Sequence, residues 1–521
     1  MTDHVRIRSG AYADSVTLLQ VSKRVAGTPG ITEAQVAMAT ALNLDTLAAM
    51  GFDVPAETSP NDMVVALRLA ESTLEDALAA VDEALAAASR PASRDGAATT
   101  APARTTASAL REAPRDAVVL VSVPGASALP EAMDAVEAGH DVMIFSDNVP
   151  LEAELALKRA AAGRDVLVMG PDCGTALVGG VGLGFANTVR PGPVGVVAAS
   201  GTGTQQIICL LDQAGVGVSA ALGVGGRDLS QAVGGLATRT ALARLDADPA
   251  TSHVVLVSKP PAPEVAEAIT SYAQSLDVPV ELALLSPGTD LTARTEAVLT
   301  ALDVAVPHWR RWGEPEKASG PGFLRGLFVG GTLCDEAMLI AADVLGPIRS
   351  NIPLAPELAL DTRVITSGTP VDAHTMVDFG DDALTVGRAH PMIDPTLRLA
   401  ALARAAEDPT TAVVLLDVVL GHGAEPDPAA ALAPAVADAR TRAAEAGRTL
   451  PVVVSLIGTD ADPQGLDIQA DALAAAGAYV LASNAEATRH ALDLVTAAGA
   501  PLDSADSAAP DTSVTASGER R

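Results

Sequence analysis

Aromatic residues are nearly missing from this chain: six Phe, two Trp and three Tyr among 521 residues. Hydrophobic residues still make up 49 %, so the cores must be assembled from Ala, Val, Leu and Ile. Strands alternating with Ala-rich helices are what that alphabet builds. Cysteine is also scarce. Cys173, Cys209 and Cys334 lie far apart and without metal-ligand spacing, which argues against a disulfide framework and for free thiols in a reducing compartment. No basic tract is present, and 34 Lys and Arg stand against 64 Asp and Glu, a formal charge of −30. Nucleic acid and membrane surfaces are therefore not expected as partners. No apolar run approaches the roughly 18 residues of a membrane span, and Met1–Arg8 has no apolar leader segment, so a cytoplasmic location is expected.

What is present is a repeating β-α grammar on a chain too long for one core. Residues 1–88 read as a small α/β N-terminal domain whose last helix opens on Ser72-Thr-Leu-Glu75, a capping-box pattern. Residues 89–115, rich in Ala, Arg, Pro and Thr, read as a disordered linker. From Asp116, apolar strands separated by helices imply parallel sheets covered on both faces, in segments 116–190 and 191–306. A break near Pro307–Gly322, holding Trp309 and Trp312, precedes a third block of the same kind, 323–500. Residues 501–521 read as a disordered tail.

Two stretches carry most of the chemistry. Val194–Ala199 runs into Ser200-Gly201-Thr202-Gly203-Thr204, a strand followed by a turn, with a helix expected over Gln205–Asp212. Gly326–Val329 runs into Gly330-Gly331-Thr332 and then a second helix. A helix start exposes about four unpartnered N–H groups bearing roughly half a positive charge, and glycine lets an anion reach them. Turns of this kind also occur as plain connections in doubly wound sheets. Two of them in one chain point to a phosphoryl or acyl-phosphate group held by backbone N–H donors, helped by the Ser200, Thr202 and Thr332 hydroxyls.

Further motifs accompany these turns: Met169-Gly-Pro-Asp-Cys-Gly-Thr-Ala176, Phe185-Ala-Asn187, Gly225-Gly-Arg227-Asp-Leu-Ser230 and Asp417-Val-Val-Leu-Gly421 with Pro426-Asp-Pro428. Together they resemble FdrA-type proteins, described as acyl-CoA synthetase-like, over most of residues 1–495. Val121–Gly174 and Gly192–Ser230 resemble the succinyl-CoA synthetase α-subunit, and 324–500 resembles the ligase domain of its β-subunit. The resemblance implies an N-terminal α/β domain followed by two doubly wound, flavodoxin-like units: a CoA-binding-domain-like segment (116–190) with an α-like ligase domain (191–306), then a β-like ligase domain (323–500). It implies an acyl-phosphate intermediate with CoA as acceptor. An alternative is a carbamoyltransferase subunit using carbamoyl phosphate and oxamate in allantoin nitrogen catabolism, and companion subunits are expected on family grounds.

Three departures from the synthetase stand out. No Gly-x-Gly-x-x-Gly turn follows a first strand, Val278–Thr289 has no histidine where the phosphohistidine loop would fall, and no segment is long enough for an ATP-grasp domain. A nucleotide site is accordingly not expected. Arg227 is a candidate for two-pronged contact with phosphate or carboxylate. His422, at the end of a parallel strand, is the candidate acid–base group, with solvated loop histidine as the plainer reading. His390 reads as a turn residue, Cys173 as a small core residue, and Asp378, Asp381 and Asp382 as either a Mg²⁺ site or a solvated loop.

Overall fold

The computed structural model describes residues 2–70, 74–88, 103–386 and 388–499. Ser72 of the capping-box pattern, residues 89–102 of the linker and the tail from Pro501 lie outside them.

The N-terminal unit is β1 (Thr2–Arg8), α1 (Ser15–Ala26), β2 (Ile31–Met38), α2 (Ala41–Ala49), β3 (Met63–Leu69) and α3 (Leu74–Ala88). Its strands pair antiparallel in the order β1-β3-β2. β3 is apolar at every position but Arg68, so the two-residue period of a strand sends side chains to two cores. Met63, Val65, Leu67 and Leu69 pack with the residues of α1 and α3, while Val64 and Ala66 pack with Leu47 and Phe52.

The expected linker is partly ordered. α4 (Thr106–Leu110) forms a capping box between Thr105 and Ser108, and the Ala107 N–H donates to Asp134, 3.2 Å away. That aspartate belongs to α5 (Ala128–Ala138), which lies between β4 (Val119–Val121) and β5 (Val142–Ile144). With α6 (Leu151–Ala162) and β6 (Val168–Met169) these strands make a small parallel sheet, β4-β5-β6.

The next sheet claims more of the chain than the sequence reading assigned to it. β7 (Thr175–Val178) and β8 (Val181–Gly184) form a hairpin turning on Gly179 and Gly180, both with positive φ. They join β9 (Pro191–Ala199), α7 (Gly201–Gln213), β10 (Val218–Gly223), α8 (Leu236–Ala247), β11 (His253–Ser258), α9 (Pro263–Ala273), β12 (Val280–Leu284) and α10 (Leu291–Ala301). The order is β12-β11-β9-β10-β7-β8, parallel except at the hairpin. Residues 175–184 thus pair into the same sheet as β9 and β10.

The third unit contains β13 (Arg311–Trp312), β14 (Phe323–Phe328), α11 (Gly331–Leu345), α12 (Thr362–Ser367), β15 (Thr375–Asp378), α13 (Asp382–Thr385) and α14 (Thr396–Glu407). It continues through β16 (Thr411–Val419), α15 (Pro428–Glu445), β17 (Val452–Ile457), α16 (Leu466–Ala475), β18 (Tyr479–Leu481) and α17 (Asn484–Ala497). Its sheet, β13-β18-β17-β16-β14-β15, is parallel apart from the short edge strand β13. Thr411–Val419 is buried at every position, as a central parallel strand covered on both faces must be.

One apolar cluster joins the two large sheets. Ile207, Ile208 and Leu211 of α7 meet Leu333, Ala337 and Met338 of α11 and Ala487 and Ala491 of α17. Packing on this inner face sets α7 against α11 and so fixes where their N-termini point. Among the described residues no helix is long and apolar enough to cross a membrane.

Candidate functional site: two helix starts facing one another

α7 begins earlier than the sequence suggested. Ser200 is its N-cap, in extended conformation, and accepts from the Gly203 N–H at 2.9 Å. Gly201, Thr202 and Gly203 are therefore the first helical turn, not a loop before it. α11 begins at Gly331 and has no side-chain cap. Instead, the Val329 and Gly330 N–H groups donate to Asp417 at 2.8 and 3.0 Å. Burial pushes the Asp417 carboxyl up to about 6, opposed by Arg398, whose Nη1 lies 3.0 Å away.

The two starts touch. The Ser200 hydroxyl donates to Thr332 Oγ1 across 2.7 Å. A methyl group added to Gly203 would lie 2.9 Å from Thr332 Cγ2, and one on Gly330 would lie 2.6 Å from Thr202 Oγ1. Glycine at both positions is what allows this approach. The seven predicted residues Ser200, Gly201, Thr202, Gly203, Gly330, Gly331 and Thr332 thus form one constellation from opposite halves of the chain.

Sequence reasoning missed its charged centre. Lys259 follows β11 directly, and its Nζ lies so close to α11 that a Cβ on Gly331 would stand 2.7 Å from it and 2.7 Å from Asp378 Oδ2. Among the described residues the ammonium makes no ion pair within 4 Å. Desolvation weakens its charge, but Asp335, Asp378 and Asp172 more than compensate, so it remains protonated above its ordinary range. The acids respond in kind: burial lifts Asp378 to about 7 and Asp335 to about 6. Asp172, at the open side of the cleft, is raised to about 6 by desolvation and by Asp382, against Lys259 and Arg227. A lone lysine after a buried strand was the only sequence signal, and ordinary surface lysines share it.

The remaining candidates divide. Arg227 reaches the rim, but its Nε donates to Glu154 at 3.0 Å and its Nη2 to the Val149 carbonyl at 2.7 Å. His422 is exposed; its ring nitrogen Nε2 lies 3.2 Å from Thr188 Oγ1 and its backbone pairs with Ala186. It hydrogen-bonds to neither helix start. His390 packs on Phe185, and burial drops its pKa to about 4. Cys173 is buried and its thiol is raised to about 12. Asp378 turns its carboxylate to the Gly380 N–H, while Asp381 caps α13 through the Ala383 N–H. No group of three or more His, Cys, Asp or Glu arranged for a metal ion occurs among the described residues. After β4, Gly125 packs directly against the backbone of Asp147 and Asn148.

Residues 327–494, the stretch that carries α11, match the CoA-ligase family model. The chain as a whole belongs to the family of YahF, an FdrA-like protein: it is 36 % identical over 514 residues to the uncharacterized protein YahF of Escherichia coli K12, spanning 93 % of this chain and 97 % of that one. The α-subunit of an ADP-forming succinate–CoA ligase from Methanothermobacter thermautotrophicus is 29 % identical over 164 residues, 31 % of this chain and 54 % of that subunit. A counterpart from Archaeoglobus fulgidus is 34 % identical over 122 residues, 23 % of this chain and 42 % of that subunit. The chain therefore spans about half of these ligase subunits.

Residues 1–102 match a model described as AllF, heavy metal-associated domain. This stretch contains no cysteine and a single histidine, His4, whose Nε2 is buried in the sheet without a partner. Without a thiolate this stretch lacks the cysteine ligands that soft metal ions favour.

Proposed function

We propose that the cleft between α7 and α11 holds the phosphoryl group of an acyl phosphate, and that CoA is the acyl acceptor. The observation that carries this reading is the Ser200–Thr332 hydrogen bond, which brings two positive helix ends onto one point. An acyl phosphate is activated because its phosphate leaves with the electrons of the C–O bond when a nucleophile attacks the acyl carbon. Donors fixed in advance around the departing oxygens stabilise that charge, typically by about 3–4 kcal/mol for a strong donor. Here they are the first N–H groups of α7 and α11, the Thr332 hydroxyl, whose oxygen is held by the Ser200 hydroxyl, and the Lys259 ammonium. Ser200, Thr202, Thr332, Lys259 and Arg227 are assigned to binding. CoA and companion subunits enter from the ligase relatives, which are named as subunits of CoA ligases; Mg²⁺ is a proposal that rests on the acidic residues Asp378, Asp381 and Asp382 alone. His422, on Thr188 in the seam between the large sheets, is retained only as a group at the margin of the cleft.

The test is phosphate release from acetyl phosphate by the full chain, with and without CoA. CoA-dependent release is expected, and Ser200→Ala with Thr332→Ala is expected to abolish it while leaving the circular dichroism spectrum intact. Release that ignores CoA, or a double variant as active as the parent, overturns the assignment. A parallel well with carbamoyl phosphate and oxamate decides the alternative donor and acceptor; the relatives named above are called ligases or are uncharacterized, and nothing in them supports carbamoyl transfer.

A further inference from the structure

A cavity of about 420 Å³ opens on the outer face of the third sheet, away from the α7–α11 cleft. Its origin is structural. β15 is the edge strand, and the cover above it is α12, which spans only six residues. α14 lies over the neighbouring strands, and the space between α12, α14 and the β14–β15 pair stays unfilled. The floor is apolar, made by Leu327, Val377 and Phe379, with walls from Val364 and Ala401. The volume lies within the range of small-molecule sites, about 300–1,000 Å³.

The charges on its rim decide what it would take. Arg325, Arg404, Glu407 and Asp408 all line it. Arg325 Nη2 lies 3.0 Å from Asp408 Oδ2, and Glu407 Oε1 is 2.7 Å from Arg442 Nη1, so three of the four are balanced within the protein. Arg404 is not. Its Nη2 donates to the Ile365 carbonyl at 3.0 Å, and among the described residues no carboxylate lies within 4 Å. Its stem crosses Gly368, whose missing side chain makes the room. Burial alone lowers its pKa, with no opposing acid. A guanidinium held against apolar walls without a counter-charge is an electrostatic deficit that a bound carboxylate would remove.

We propose that this cavity is a second ligand site, for a monocarboxylate with an apolar body: the chain lies on Leu327, Val377 and Phe379 and the carboxylate pairs with Nε and Nη1 of Arg404. The site is distinct from the acyl-phosphate cleft and does not rest on that reading. The two share β15, since Asp378 reaches Gly331 in the cleft while its neighbours Val377 and Phe379 floor the cavity. A ligand in the cavity therefore presses on the strand that carries a cleft residue.

Titration calorimetry on the full chain tests the site, with octanoate as probe and octanamide and octylamine as controls of the same length. One-to-one octanoate binding is expected, weakened at least about tenfold in the amide and in Arg404→Met, as loss of a charge-assisted pair requires. Ala401→Phe, which fills the cavity and leaves Arg404 in place, is expected to abolish binding; circular dichroism confirms that both variants fold. Absence of saturable octanoate binding, equal binding of acid and amide, or unchanged binding by either folded variant overturns the proposal.

Discussion

Ser200 and Thr332 lie 132 positions apart in the chain and share a 2.7 Å hydrogen bond at the point where two helices begin. Each helix arises from its own βαβ turn, and neither turn alone makes a site. The site exists because α7 and α11 pack side by side in one core, so that the strands of both large sheets deliver their carboxyl ends to the same cleft. Open α/β sheets bind ligands at these ends, and here two sheets share one.

The acid cluster gives this cleft a pH dependence with a defined sign. Asp378, Asp335 and Asp172 are raised from 3.8 to about 7, 6 and 6. In the folded chain these groups keep their protons to higher pH than when unfolded. Their contribution to stability is full below the unfolded value and is lost as pH rises through about 6 to 7. The same deprotonation places negative charge beside the helix starts. Sulfate, whose charge does not change over this range, should therefore bind more weakly as pH rises from about 5 to 8. Asp378→Asn should remove the upper part of the slope. Calorimetry at constant ionic strength measures it; a flat profile means that the acids do not face the anion.

Lys259 is expected to matter more for binding than for folding. It makes no close ion pair, so removing it breaks no hydrogen bond, yet its charge stands beside the first residue of α11. Lys259→Met should weaken sulfate by about tenfold to a hundredfold, the scale of a charge-assisted contact, and shift the melting temperature little. The variant should also move the pH dependence to higher pH, since the acids lose the cation that lowers their pKa values. An unchanged sulfate affinity would remove Lys259 from the site.

The strands were legible because Val194–Ala199 and Val413–Leu416 are long apolar runs that only a doubly covered sheet can bury. The turns at Ser200 and Gly330 were legible as strand-to-helix turns because glycine and hydroxyl residues directly follow an apolar strand. Three things were not. The hairpin at Gly179–Gly180 pairs antiparallel with a sheet whose parallel strands follow it in sequence, and no periodicity announces that choice. The helix at Thr106–Leu110 is held by Asp134 and Glu131 on α5, a tertiary contact that overrides a linker-like composition. Lys259, Asp335 and Asp378 come from three separate elements, and a cluster made by folding leaves no local pattern to read. Asp228, in the turn after β10, accepts from the Ala237 and Thr238 N–H groups at the start of α8.

The same aspartate belongs to a buried network that tests how this half of the molecule is held together. Lys158 is buried and donates to Glu154 at 2.7 Å, to Asp228 at 2.8 Å and to the Val224 carbonyl at 2.8 Å. Arg227 completes the balance with its bond to Glu154, so two cations face two carboxylates. Lys158→Met keeps the length of the side chain and leaves Glu154 and Asp228 with one cation between them. Breaking one side of a buried pair costs about 3–5 kcal/mol, because the remaining charge stays desolvated. Arg227 is 46 % exposed and water can replace it, so Arg227→Gln should cost about 1 kcal/mol or less. Amide hydrogen exchange over α6 and α8 resolves the difference without assuming that the whole chain unfolds in one step. Fast exchange in Lys158→Met and near-parental exchange in Arg227→Gln are expected. Equal exchange in the two variants would mean that the buried lysine does not anchor α6 to the Asp228 turn, and that apolar packing alone positions the rim of the cleft.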